Sequence, residues 1–120
     1  MEKNNQVNNL CKIRDIYRSI YEFENNFQEK YNLCLNEGMM LCSLNEKERT
    51  SSELATILGL TTSNTSKVIK LVESKELVMR KIGKEDKRQM YFSLTDLGRE
   101  KLSAIKCNEM QLPDLLKSII

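Results

Sequence analysis

Twelve residues, Thr61-Thr62-Ser63-Asn64-Thr65-Ser66-Lys67-Val68-Ile69-Lys70-Leu71-Val72, constrain this chain more than any other stretch. Wound at 100° per residue, they put Thr65, Val68, Ile69 and Val72 on one side, with Ser63, Lys67, Lys70 and the following Ser74 on the other. One face is core and the other is polar. The first two turns are hydroxyl and amide side chains, mediocre helix formers, and two lysines follow a turn apart. Short polar side chains at a helix start can reach base edges, its unpaired N–H groups can meet phosphate, and lysines one turn on can neutralise flanking phosphates. The same pattern also describes an N-cap followed by a solvated helix face.

The neighbouring residues favour the first reading. Upstream, Thr50-Ser51-Ser52-Glu53 has capping-box spacing, and Leu54, Ala55 and Leu58 form the apolar side of a short helix. Gly59 stops it, and Thr61 caps the next helix, so the stretch reads helix, tight turn, helix. Downstream, Leu77 to Ile82 and Met90 to Leu94 read as two strands, with Met90, Phe92 and Leu94 inward. The charged loop Gly83-Lys84-Glu85-Asp86-Lys87-Arg88 joins them. A hairpin with a charged tip beside a helix-turn-helix is the layout of a winged helix, whose tip can lay a basic side chain along the minor groove. A hairpin tip charged only for solubility is the other reading of that loop.

Asp86-Lys87-Arg88-Gln89-Met90-Tyr91-Phe92-Ser93-Leu94-Thr95 fits the D-x-R-x5-L-T wing pattern of the MarR family of bacterial transcription regulators, which the chain resembles. Thr95-Asp96-Leu97-Gly98-Arg99 continues as that family's next helix begins, and residues 50–60 resemble its first helix-turn-helix helix. The likeness covers roughly residues 33–107. It implies a mostly α fold with a small β-hairpin wing, a winged helix-turn-helix flanked by N- and C-terminal dimerisation helices. It implies that Arg88 reaches the minor groove or its phosphates and that Asp86 holds Arg88 in place, with Lys84 and Lys87 beside them. Thr62, Ser63, Asn64, Ser66, Lys67 and Lys70 would then meet the major groove. Two residues depart from the family. Arg49 stands where an apolar residue of a short first strand is usual, which leaves a third wing strand open. Glu76 replaces the glycine common after the recognition helix, which implies a different helix stop.

Charge supports a polyanionic partner. Residues 1–60 hold seven Lys/Arg against nine Asp/Glu, whereas residues 61–92 hold eight against four, so the positive excess sits in the recognition helix and wing. No run approaches the ~18 to 20 apolar residues of a membrane span, and the Asn-rich start lacks a signal peptide's apolar core. The expected location is the cytoplasm of a bacterium, with no membrane partner.

The chain divides by sequence into residues 1–32, an N-terminal dimerisation helix; residues 33–95, the winged helix-turn-helix; and residues 96–120, C-terminal helices completing the dimerisation region, all within one compact domain. From about Val7 to Tyr31 there is no Gly or Pro, and Leu10, Ile13, Tyr17 and Ile20 recur at helical spacing, ahead of Phe27 and Tyr31. So broad an apolar surface suits a two-fold dimer, with packing on the chain's own C-terminal helix as the alternative. Asn36 is placed to cap a short apolar helix holding Met39, Met40, Leu41, Cys42 and Leu44. Thr95 caps a helix with Leu97, Leu102 and Ile105 that runs to about Cys107. Leu112, Leu115, Leu116 and Ile119 then form a short amphipathic helix with Pro113 in its first turn, contributing to dimerisation. That end is shorter than the family's usual dimerisation helix.

The chain has no histidine, which removes the usual general base and the commonest zinc ligand. No phosphate-binding loop is present, so neither catalysis, nor a cofactor, nor a metal site is expected. The cysteines, Cys11, Cys34, Cys42 and Cys107, lack metal-type spacing. Cys11 is the candidate for redox sensing, because some MarR relatives sense peroxide near the first helix; Cys34 and Cys42 read as core. A small-molecule effector is the family's other device, and Tyr17, Tyr21, Phe23, Met39 and Met40 are either its lining or ordinary core and dimer contacts. The expected function is a sequence-specific, double-stranded-DNA-binding transcriptional regulator: a homodimeric repressor on a pseudo-palindromic operator, released by a small ligand or an oxidant. The alternative is a protein-interaction module whose Lys67 and Lys70 face docks an acidic partner.

Overall fold

The computed structural model describes residues 2–107 and 112–120 and resolves into two compact units. One contains helix α1 (Glu2–Tyr31) and the four-residue helix α6 (Asp114–Lys117). The other contains α2 (Leu35–Leu44), β1 (Arg49–Thr50), α3 (Ser51–Leu58), α4 (Thr62–Ser74), β2 (Val78–Ile82), β3 (Met90–Leu94) and α5 (Asp96–Cys107). The chain is thus mostly helical with a small antiparallel sheet, as the sequence predicts. None of the described helices is long and apolar enough to cross a membrane.

In the first unit, α6 packs on α1 and buries Leu116. Phe23, Phe27 and Tyr31 stack in sequence along α1, with ring centroids 6.0 and 5.0 Å apart. Val7, Leu10, Ile13, Tyr17, Ile20 and Tyr21 form an exposed apolar stripe instead, Tyr17 being 75% exposed. Their spacing of three and four residues keeps them on one side of the helix. The C-terminal segment differs from expectation. Pro113 stands ahead of α6 rather than within it.

In the second unit, Met40, Leu41, Leu54, Val72 and Thr65 are almost wholly buried, joined by Val68, Ile69, Phe92, Leu94 and Leu102. Core packing comes from α2, α3, α4 and α5 closing on one face of the sheet. Several expectations need correction here. Helix α2 begins at Leu35, so Asn36 lies inside it rather than capping it. Cys42, expected in the core, is exposed, because α2 buries Met40, Leu41 and Leu44 on its other side. Leu97 is 47% exposed, and Met90 is exposed at the wing while Ser93 is buried.

The sheet has three strands in the order β1-β3-β2. The third strand forms despite Arg49, which pairs in register with Phe92. The guanidinium does not enter the core: Nε donates to the Ser43 carbonyl at 2.7 Å, and Glu46 lies 3.6 Å from the other end. Gly98 allows α5 to begin flush against the wing, since a Cβ there would collide with the Leu77 carbonyl. That carbonyl accepts from the Thr95 N–H at 3.0 Å, and Thr95 Oγ1 accepts from the Gly98 N–H at 3.0 Å, so Thr95 caps α5 as expected.

Candidate nucleic-acid interface

Helix α3 starts on a complete capping box. The Glu53 N–H donates to Thr50 Oγ1 at 3.2 Å, and the Thr50 N–H donates to the Glu53 carboxylate at 3.1 Å. The Thr50 N–H holds the Glu53 carboxyl below the usual carboxylate range, burial opposes this, and the Thr50 hydroxyl adds to the lowering. Helix α3 ends at Gly59, whose φ of 67° is left-handed. The Leu60 N–H reaches the Ala55 carbonyl at 3.0 Å and the Gly59 N–H reaches that of Thr56 at 3.3 Å, the paired bonds of a Schellman stop.

Helix α4 starts at Thr61, which accepts from the Asn64 N–H at 3.1 Å. Its first turn holds no acidic residue. Thr65, Val68, Ile69 and Val72 face the core, and the buried Thr65 hydroxyl is satisfied by the Thr61 carbonyl at 2.8 Å. Thr62, Ser63, Asn64, Ser66, Lys67 and Lys70 are all exposed, so the residues assigned to the major groove share one solvent-facing surface. The end of α4 corrects the expectation of a different stop. Glu76 takes φ 62°, the Glu76 N–H donates to Glu73 at 2.9 Å, and the Leu77 N–H donates to Val72 at 3.0 Å. This is the same stop as in α3, with glutamate in the left-handed position.

At the wing tip, Lys84, Lys87 and Arg88 are exposed, and the Arg88 side chain is 93% so. Asp86 accepts from the Arg88 N–H at 3.0 Å and from its Nε at 3.3 Å. The carboxylate therefore orients the guanidinium without burying it, leaving further donors directed outward.

Two further ties position this surface and were missed in the sequence. Arg80 of β2 grips Glu73 of α4 through both guanidinium prongs, at 2.7 and 2.9 Å, and stacks over the Phe92 ring 5.4 Å away. That pairing raises the Arg80 pKa. Lys75, at the end of α4, bonds the buried Glu37 of α2 at 2.7 Å. An arginine at an inward strand position was the one hint of the first tie. The second spans 38 residues and leaves no local pattern.

The remaining sequence candidates lie elsewhere. Cys11 is half-buried on α1. Leu10, Ile13, Tyr17 and Ile20 lie on the exposed stripe; of the C-terminal four, Leu116 is buried, Leu112 half-buried, and Leu115 and Ile119 exposed. Of the residues weighed as an effector lining, Tyr17, Tyr21 and Met39 are exposed, Phe23 is half-buried and Met40 is core. The Cys107 side chain falls outside the described residues. Among the described residues no cluster of three or more His, Cys, Asp or Glu is arranged to hold a metal.

A family model of the SarA/Rot transcriptional regulators matches residues 22–105. Among solved structures, the chain is similar to the transcriptional regulator BldR from Sulfolobus solfataricus, with a TM-score of 0.74 at 28% identity over 87% of this chain and 76% of that one. The transcriptional repressor CouR bound to a 23-mer DNA duplex gives a TM-score of 0.70 at 26% identity, over 78% of this chain and 66% of that one. The S. aureus MepR–DNA complex shares the fold, with a TM-score of 0.64 at 21% identity over 79% of each chain. No curated protein matches the sequence.

Proposed function

Since the chain belongs to the SarA/Rot family of transcriptional regulators, with neighbours of the MarR type and a winged-helix fold, we propose that it is a homodimeric repressor that reads a pseudo-palindromic DNA operator. One observation carries this reading. The hydroxyl, amide and lysine face of α4 and the outward Arg88 of the wing are both exposed, and α4 is tied to the first strand of the wing through Glu73 and Arg80. A helix face of this composition suits the major groove, and an arginine on a hairpin tip suits the adjacent minor groove. CouR and MepR, each seen bound to DNA, support the same use of the fold.

The exposed stripe on α1 supports the dimer. Leu10, Ile13, Tyr17 and Ile20 follow the three-four spacing of a helix seam, and an apolar row this long is costly to leave in water. Two-fold pairing would place the recognition helices about one turn of DNA, ~34 Å, apart. Release by a small ligand or an oxidant completes the reading, with Cys11, beside Leu10 on α1, as the thiol to test.

Selection from a random duplex library at near-physiological salt is the test. An enriched inverted repeat bound by two chains is expected, with a steep loss of affinity as salt rises. Arg88→Ala should weaken that site about ten-fold, with an unchanged unfolding midpoint. Binding with no sequence preference, or unaffected by this substitution, would reject the roles assigned here.

A further inference from the structure

On the outer face of the wing sheet, a cleft of about 470 Å³ is bounded by residues 44–48, strands β2 and β3 and the start of α5. Leu44 and Met79 give it an apolar floor. Of the cations lining it, Lys81 is taken up by Glu48 at 2.9 Å, but Lys47 and Arg99 make no salt bridge or side-chain hydrogen bond among the described residues. The acidic side chains are more fully committed. Glu48 holds Lys81 and Glu46 lies 3.6 Å from Arg49, which leaves Asp96. The start of α5 adds the partial positive charge of a helix N-terminus.

A second, independent observation points to a ligand. Ser93 is 6% exposed and its hydroxyl has no hydrogen-bond partner among the described residues. Its register partner is Met79, and strand alternation puts both on the sheet face opposite Phe92, the face that lines the cleft. Buried hydroxyls are nearly always paired, so an orphan in the same cleft lining as Lys47 and Arg99 marks a place for an incoming acceptor.

We propose that this cleft binds a short aliphatic dicarboxylate. Arg99 takes one carboxylate through two parallel N–H bonds, Lys47 pairs with the other, and the Ser93 hydroxyl donates to a carboxylate oxygen, while the methylene chain lies over Leu44 and Met79. Asp96 disfavours ligands of higher negative charge, such as phosphate esters.

Glutarate titrated into the full chain, without DNA and followed by amide chemical shifts, tests this directly. Saturable shifts centred on Lys47, Ser93 and Arg99 are expected, with a Kd below about 1 mM. Arg99→Gln and Lys47→Gln should each weaken binding at least about ten-fold, whereas Lys106→Gln, on the same helix but outside the cleft, should not. Ser93→Ala should weaken it about three-fold with an equal or higher Tm, because it removes an orphaned hydroxyl rather than a packed group. Shifts that never saturate, equal binding of glutaramide, or indifference to Arg99→Gln would overturn the proposal. Since no DNA is present, those results would leave the operator reading standing.

Discussion

The two helices of the helix-turn-helix are built to the same plan and differ at both ends. Each starts on a threonine cap and finishes in the same pair of Schellman hydrogen bonds. At the start, α3 completes the box with Glu53, whereas α4 has the neutral Asn64 three residues after its cap. At the finish, α3 uses Gly59 in the left-handed position, whereas α4 uses Glu76. Helix α3 takes the locally stable option at both ends and α4 at neither. The start of α4 has a reason in the proposed function: a carboxylate there would strengthen the cap but repel phosphate. The structure offers no such account of Glu76.

The sharpest way to break the comparison is Asn64→Glu, which gives α4 the box of α3. Binding to the selected operator should fall about 10- to 100-fold, while stability rises by a few tenths of a kcal/mol. Retained affinity with the box formed would show that the neutral start is incidental. Gly59→Ala should cost about 1 kcal/mol in denaturant unfolding, because the space around it is open and the penalty is that of the left-handed backbone alone. Glu76→Gly should do the reverse and stabilise by about 0.5 to 1 kcal/mol, the strain relieved being partly offset by a freer unfolded chain. Equal and opposite results would confirm that the two stops differ only in side chain.

The smallest effect is Glu53→Gln, worth a few tenths of a kcal/mol at this exposed position. The folded Glu53 carboxyl titrates below its unfolded value, so its contribution is present above the ordinary value, near pH 4.5, and is lost as pH falls through the lowered folded value. The stability difference between parent and variant should therefore hold from about pH 8 to 6 and shrink once the pH falls below the ordinary carboxylate range.

Local chemistry accounts for what was legible beforehand. As caps and stops, Thr50, Glu53, Gly59, Thr61 and Thr95 act within four residues of themselves, and the split of α4 into core and polar faces follows from its period. Where the outcome depends on more than the side chain's own character, the reading was left open or wrong. Arg49 joins a strand because the Ser43 carbonyl takes up its guanidinium. Cys42 is as apolar as its neighbours, and only the packing of α2 decides which of them is covered. Glu76 was read as a changed stop because a glutamate gives no hint that backbone hydrogen bonds will hold it at positive φ. Of the candidate interface, the outward side chains were visible in the sequence, while the ties beneath them, Glu73 to Arg80 and Glu37 to Lys75, were not.

The grip of Arg80 on Glu73 also bears on what kind of instrument the winged unit is. A recognition helix and a wing that moved independently would each settle on whatever groove they met. Joined at the root by two hydrogen bonds from Arg80 to Glu73, with Arg80 itself held over the Phe92 ring of the wing, they would act as the jaws of a calliper set to one opening. On a duplex, such a device would register the distance between neighbouring grooves as well as the bases within one, so stiffness and groove width would join the spelling of the site in determining where it closes.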